Sequence, residues 1–527
     1  MRQAGLIEPL QPVWGLKKLA AIRKVGVLAG PVQVLARRAP GTAAIIDESG
    51  TLSYGELDAR TTALARAWQE IGLGPNSVIA ILARDHRGLV EVMIAAAKLG
   101  AKLLLMNTGF AGPQLADVAR REGVSAMVYD QEFTDLLSEL PGKLPRFLCW
   151  VDEEPHDVRS IEHLIAGSGR EPLPAPPSVG SIVLLTSGTT GTPKGAPRNE
   201  ASPLAAAQFV ERVPLRAREI TMLTSPVFHA TGFSQLVMAM ALGSTVVLRR
   251  RFDPEKTLAL LEEHQVTALV TVPTMLQRIM DLEPETLNKY DTGALRIILS
   301  SGSALPTDLG NRAVARFGEV IYNLYGSTEV AVTSIATPTD WQAAPGTVGR
   351  PPHGCTIRLY DQHGTRITEP DVRGRIFSGS TLSFDGYTGG GTKQGIDGLL
   401  ATGDIGHFDA EGRLFVDGRD DDMVVSGGEN VFPGEIENLL AGRADVLECA
   451  VLGVPDEQFG QRLKAFVVPV PGETLDIDTV KEYVKAHLAR YKVPRDVVFL
   501  DRIPRNPTGK VRRDALLAPG KTPDGSE

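Results

Sequence analysis

Residues 184–198 read LLTSGTTGTPKGAPR and set Gly188, Gly191 and Gly195 among Ser and Thr hydroxyls, with Lys194 at the end. Glycines let backbone amides come close to oxyanions, the hydroxyls of Ser187, Thr189, Thr190 and Thr192 can donate to them, and Lys194 adds a charge. That is chemistry for a polyphosphate. A Walker loop requires Gly-x4-Gly-Lys-Ser/Thr feeding straight into a helix, and here Pro193 stands where the second glycine belongs and Gly195 follows the lysine. Pro193 carries no amide proton and the glycines loosen the chain, so the stretch reads as a mobile loop rather than a helix cap. Taken alone, it is equally compatible with a Ser/Gly linker.

Further stretches end that ambiguity: FHATG (228–232), NLYGSTE (323–329), TGD (402–404), GRDDD (418–422), SGGEN (426–430) and PRNPTGKVRR (504–513). In this order and spacing they make the chain, from about residue 31 to 516, resemble the adenylate-forming superfamily of acyl-CoA synthetases, adenylation domains and luciferases. The chemistry such enzymes perform has a simple origin. A carboxylate is a poor electrophile, so it is first joined to AMP with loss of pyrophosphate, and a thiolate then displaces AMP. Both steps build negative charge that fixed donors and cations stabilise.

The resemblance implies a role for each motif. Thr186, Ser187, Gly188, Thr189, Thr190, Gly191 and Lys194 would hold the β and γ phosphates of ATP. Tyr325, followed by Gly326, would offer a flat face to adenine, Asn323 an amide for its amino edge, and Thr328 a donor to the α-phosphate. Glu329 would ligate Mg²⁺, a hard cation that prefers oxygen. Gly302, Ser303 and Ala304 of SSGSAL (300–305) would line the other side of adenine and border the acid. Asp404 suits the ribose diol, with Arg419 assisting, and Asp421 matches the hinge about which the C-terminal unit turns. Lys510 would bridge carboxylate and α-phosphate. Rotation would then bring Gly427, Gly428, Glu429 and Asn430 to the site as a channel for coenzyme A. His229 and Phe233 would line the acyl pocket, with His229 as a gate between acid and thiol.

The segment VFHATGFSQLVMAMALG contains no acidic residue, which disfavours an amino acid's ammonium group. It is apolar and partly small, and each buried methylene is worth about 0.8 kcal/mol. Medium- or long-chain fatty acids are the first expectation and aryl acids the second. The chain has no extra insertion before its C-terminal unit, which favours coenzyme A over a carrier protein as the thiol. An inactive adenine-nucleotide-binding regulator is the alternative of another class, and retention of Lys510, Glu329 and Asp404 speaks against it.

The elements that must position these groups are legible as well. With 527 residues, 43% apolar and 22% charged, and a formal charge of −8, the chain reads as a globular multidomain protein without bulk attraction to nucleic acid. Cys149, Cys355 and Cys449 lie far apart, neither metal-spaced nor paired, which suits a reducing cytosol. Short apolar runs such as VIAILA, KLLLMN, VSAMVYD, SIVLLT, VTALVTV and LRIILSS alternate with helical patterns, which predicts parallel α/β layers buried on both faces. GELDARTTALARAWQEIGLG places Leu57, Leu64, Trp68 and Ile71 on one helical face. Beyond about residue 350 short β segments separated by Gly and Asp turns predict a β-rich subdomain. The expected fold is α/β: a large N-terminal domain of layered α/β subdomains plus that β-rich part (31–419), a small mobile α+β C-terminal domain (420–516) and a tail (517–527). Residues 1–30 form an N-terminal extension. Within it WGLKKLAAIRKVGVLAG is a basic amphipathic pattern, expected to pack on the body, with peripheral membrane contact as its alternative. No apolar run in the sequence approaches the roughly 20 residues of a membrane span.

Overall fold

The computed structural model describes residues 12–153, 158–186, 194–198, 203–327, 330–380, 393–420, 423–426, 429–456, 460–506 and 509–517. Two parallel-rich sheets form its centre. One has eight strands, in which Ile321–Ser327, Ile297–Ser300, Ala268–Thr271, Ile220–Leu223, Thr245–Val247 and Ala43–Asp47 run parallel between two antiparallel edges. The other has six strands and ends on the hairpin Ile182–Thr186 with Lys194–Arg198. Every apolar run singled out above is a strand of these sheets. The main core lies between them, where Leu57, Leu64 and Trp68 of helix Tyr54–Glu70 are completely buried. That helix starts at a reciprocal cap: Ser53 Oγ accepts from the Glu56 amide and Glu56 Oε2 accepts from the Ser53 amide. Ile71 departs from expectation, since the helix stops one residue before it and leaves it 49% exposed.

Thr356–Tyr360, Gly374–Gly379, Leu399–Phe408 and Leu414–Arg419 make the antiparallel β-rich sheet. The C-terminal sheet is built on Val446–Asp456 and Gly460–Pro469, with helices Pro433–Ala441 and Ile477–His487 sharing a core of their own. This unit meets the β-rich sheet through ion pairs. Arg373 reaches across to Glu435 at 2.6 Å, and Lys492 of the same C-terminal unit also pairs with that carboxylate.

The N-terminal pattern forms two helical stretches within Pro12–Arg38 that meet at a kink at Gly26, whose φ 82° and ψ 176° are not helical. Its second half is core, with Val25, Leu28, Ala29 and Val32 buried, while Val13 and Leu16 are 57% and 67% exposed. Taken together across Gly26, Val13–Arg38 would be long and apolar enough to cross a membrane by length and composition, with mean hydropathy 1.4 in the best window, but the non-helical backbone at Gly26 divides the segment into two helices, each shorter than a span. Half of that window is buried inside the protein.

Trp68→Ala is expected to destabilise the large domain by about 3–5 kcal/mol, read as a lower urea midpoint with little change in slope. An unchanged midpoint would show that the central core does not depend on this side chain.

Candidate active site

In parallel α/β sheets the crevice beyond the carboxyl ends of the strands is where ligands sit. The motifs occupy that edge. His229 follows strand Ile220–Leu223 and Gly302 to Ala304 follow Ile297–Ser300. One cavity of about 2950 Å³ extends from there to the C-terminal unit. Its walls bring together the nucleotide candidates Gly302, Ser303, Ala304, Asn323, Tyr325 and Gly326. Asp404 and Arg419, the acid-pocket candidates His229 and Phe233, and Lys510 line the same space.

Asp404 is the electrostatic centre of the nucleotide side. It is opposite Arg419 in the strand register, and Arg419 Nη1 lies 3.5 Å from its Oδ1. Gly403, just before Asp404, has φ 88°, where any other residue is strained, and a Cβ there would stand 3.2 Å from the Arg419 guanidinium. The Tyr325 hydroxyl donates to Asp404 Oδ2, and the Asp404 amide donates to Thr402 Oγ1 at 3.2 Å. Burial pushes the Asp404 carboxyl above its ordinary range, opposed by the Tyr325 hydrogen bond and the Arg419 charge. Asn323 is 3% exposed and gives its Nδ2 to the Thr347 carbonyl at 3.1 Å, which leaves its amide oxygen to accept from a ligand amine. Gly326 sits at a register shift where a Cβ would meet the Ala331 carbonyl oxygen at 2.0 Å.

His229 caps no amide of helix Ala230–Leu242, and its Nε2 is buried without a hydrogen-bond partner among the described residues. Burial first, and the Lys510 ammonium second, push its pKa down to about 3, so the ring is neutral at physiological pH. Its turn is pinned from the other sheet by Asp85, whose buried carboxylate accepts from the Val227 amide at 3.0 Å. Burial pushes Asp85 up to about 7.

Lys510 comes from the C-terminal unit on a tight turn. The Gly509 amide donates to the Asn506 carbonyl at 2.9 Å and the Lys510 amide to Asn506 Oδ1 at 2.9 Å. Gly509 (φ 80°) lies against Thr274 of the large domain, so the lysine enters the cavity held by backbone rather than by a long loose arm.

Several expected groups fall elsewhere. Ser187, Gly188, Thr189, Thr190, Gly191, Thr328, Glu329, Asp421, Gly427 and Gly428 lie outside the described residues, as do the side chains of Thr186, Lys194, Glu429 and Asn430. The backbone of Lys194 is in strand, paired with Thr186, and that of Glu429 pairs with Ser426. Sequence reasoning missed Asp85 and Lys393, which lie in no motif, and Asn506, which lies within PRNPTGKVRR but acts only by holding the turn, through its carbonyl and its Oδ1. Lys393 Nζ donates to the Thr402 carbonyl at 3.4 Å, beside Asp404. Among the described residues one buried trio, His86, Asp130 and Cys149, has metal-like proximity. His86 Nδ1 accepts from the Gly88 amide, so the proton is on Nε2, which donates to Asp130 Oδ1 at 2.9 Å. Both ring nitrogens are thus engaged and the trio is core.

A family model described as AMP-binding enzyme matches residues 32–388, and its companion, AMP-binding enzyme C-terminal domain, matches 435–510. The chain belongs to the AMP-binding enzyme family. Within this adenylate-forming superfamily it is an acid–thiol ligase. An indoleacetate–CoA ligase of Aromatoleum aromaticum is 34% identical over 487 residues, covering 90% of this chain and 94% of that protein. A feruloyl-CoA synthase of an Amycolatopsis species is 31% identical over 501 residues, covering 93% and 98%. The crystal structure of the anthranilate CoA ligase AuaEII with anthranoyl-AMP superposes with a TM-score of 0.83 at 25% identity, over 92% of this chain and 96% of that one.

The AMP-binding enzyme should show its buried histidine in its acid response. The unfolded chain titrates His229 near 6.5 and the folded chain near 3, so between these values the unfolded state holds more protons. The contribution is complete above 6.5 and is lost as pH falls towards 3. His229→Gln should therefore lose stability less steeply than wild type over that interval in urea titrations. Equal steepness would contradict a buried neutral ring.

Proposed function

We propose that this acid–thiol ligase activates a hydrophobic carboxylic acid, an aryl or arylalkanoic acid in the first instance, and transfers it to coenzyme A. The observation that carries this reading is the convergence of Lys510, neutral His229 and the Tyr325–Asp404–Arg419 group on one cavity whose acid side is apolar. In the first half-reaction a carboxylate oxygen attacks the α-phosphorus of ATP and pyrophosphate departs. Lys510 bridges the two negatively charged reactants, while Asp404 accepts from the ribose hydroxyls and Asn323 from the adenine amine. A neutral His229 adds no charge to compete with Lys510 for the carboxylate. Mg²⁺, assigned here to Glu329, would neutralise charge on the departing diphosphate. In the second half-reaction the C-terminal unit turns about Asp421, withdraws Lys510 and admits the thiol along Gly427 and Gly428, and sulfur attack on the acyl carbon expels AMP.

The aryl choice is supported by relatives named for indoleacetate and ferulate. It moves the sequence-based preference away from fatty acids. The fatty-acid reading retains two supports: relatives named as a fatty acid–(acyl-carrier-protein) ligase and a long-chain-fatty-acid–CoA ligase, and the continuation of the cavity along helix Ala230–Leu242 beyond Phe233. Free thiols at Cys149, Cys355 and Cys449 accord with the reducing cytosol we propose as its setting.

A panel of aryl, arylalkanoic and alkyl acids, scored by AMP release with ATP and coenzyme A, should rank arylalkanoic acids first; alkyl acids ranking first would reverse the choice. Lys510→Ala should lower acid-dependent pyrophosphate–ATP exchange by at least about a hundredfold, as loss of a positioned cation does, yet spare thioester formation from supplied acyl-adenylate. Equal loss of both steps would refute the assigned role.

A further inference from the structure

The cavity does not end at His229. On helix Ala230–Leu242 its lining continues through Phe233, Ser234, Val237, Met238 and Ala241, one face of the helix. At 1.5 Å per residue this face runs roughly 16 Å from Ala230 to Ala241. There it meets helix Pro12–Arg38, which turns Leu16, Leu19, Ile22 and Gly26 into the same cavity, again at helical spacing. Lys18 Nζ donates to the Ala241 carbonyl at 2.7 Å. It places a cation at the carbonyl end of helix Ala230–Leu242, where the aligned peptide dipoles favour one, and it ties the two helices together.

The bend at Gly26 gives this wall its position. At φ 82° any other residue is strained, and a Cβ would come within 3.1 Å of Val179 Cγ1. Beyond the bend the helix is buried, with Leu28 and Ala29 at 1% and 0% exposure. Before it the chain lies along the cavity mouth, with Leu19 still 41% exposed. The family model begins only at residue 32, so this wall comes from a segment outside the matched adenylation domain.

We propose that residues 16–26 are a specificity-determining wall that selects the distal, apolar tail of the acid. The tail runs along helix Ala230–Leu242 from the reacting carboxylate to Ile22 and Leu19, and the helix of residues 16–26 sets the tail length that the enzyme accepts. The substrate class is an acid, aryl or alkyl, with an apolar extension far beyond a single ring. This rests on the acid-ligase reading of the site.

A series of ω-phenylalkanoic acids of increasing length tests it, with kcat/KM for pyrophosphate release measured in wild type, Ile22→Trp, Ile22→Ala and Leu19→Trp. Wild type is expected to favour long members. Ile22→Trp should lower the ratio of kcat/KM between the longest and shortest acids about fiftyfold, the loss that follows from keeping roughly three methylenes out of an apolar site. Ile22→Ala should shift the optimum to longer tails. Leu19→Trp, at a more exposed position, should act in the same direction as Ile22→Trp and covers the case in which that variant does not fold. A wild type that handles only the shortest acids, or substitutions that change all members equally or none, would overturn the wall. A wild type that releases no pyrophosphate with any member would overturn the acid-ligase reading itself, and the wall with it.

Discussion

The reacting centre depends on one close approach between two parts of the chain. Gly509 rests against Thr274, where a Cβ would come within 2.3 Å of the threonine Oγ1. No other residue fits that gap at a left-handed φ. The turn behind it is stiff: Arg505 Nη1 donates to the Gly509 carbonyl at 2.8 Å and Asn506 closes the loop with backbone and side chain. Lys510 is therefore delivered to a defined place by the docking of a whole unit. The ion pair that helps to hold the unit there is weak. Arg373 is 43% exposed and Glu435 18%, and partly exposed pairs of this kind are each worth about 0–1 kcal/mol. Such a contact can form for one half-reaction and open for the next.

Burial then decides which groups carry charge. His229 is neutral because its ring is dry and faces a lysine, and neutrality suits a side chain that must lie beside an anionic acid without trapping it. Asp404 is also buried, yet the Tyr325 hydroxyl and Arg419 compensate the carboxylate that burial penalises. Asp85 extends this logic to the scaffold. Its carboxyl, shifted to about 7, holds the turn before His229 from the neighbouring sheet, so the two α/β layers jointly fix the acid side of the site.

Much of this was legible in the residues. The short apolar runs became strands of the parallel-rich sheets because buried strands must be apolar on both faces, and the motifs fell at their carboxyl ends because the chain turns there. Gly403 and Gly509 show why the TGD and NPTGK motifs carry glycines, a reason that only packing reveals. Three features escaped sequence reasoning on physical grounds. Ile71 continued the apolar period of its helix, but the helix ended first. Asp85 gave no signal because its partner is a backbone amide 142 positions away in the chain. The N-terminal helix read as an ordinary amphipathic segment, and its role as a cavity wall follows from a bend at Gly26 and a bond from Lys18 that no local pattern encodes. Substrate choice escaped for the same reason: an apolar helix face fits an alkyl chain and an aromatic ring equally well until its opposite wall is known.

The central claim is that the docked arrangement performs adenylation and must be left for thioester formation. Replacing Arg373 and Glu435 by cysteine, with the native cysteines changed to serine, allows a short bis-methanethiosulfonate reagent, whose two thiosulfonate groups each form a reducible disulfide with loss of sulfinate, to lock the unit where it now sits. The account predicts that the locked protein sustains acid-dependent pyrophosphate–ATP exchange but makes no thioester, and that reduction restores thioester formation. Locked protein that forms thioester at the unlocked rate would contradict it.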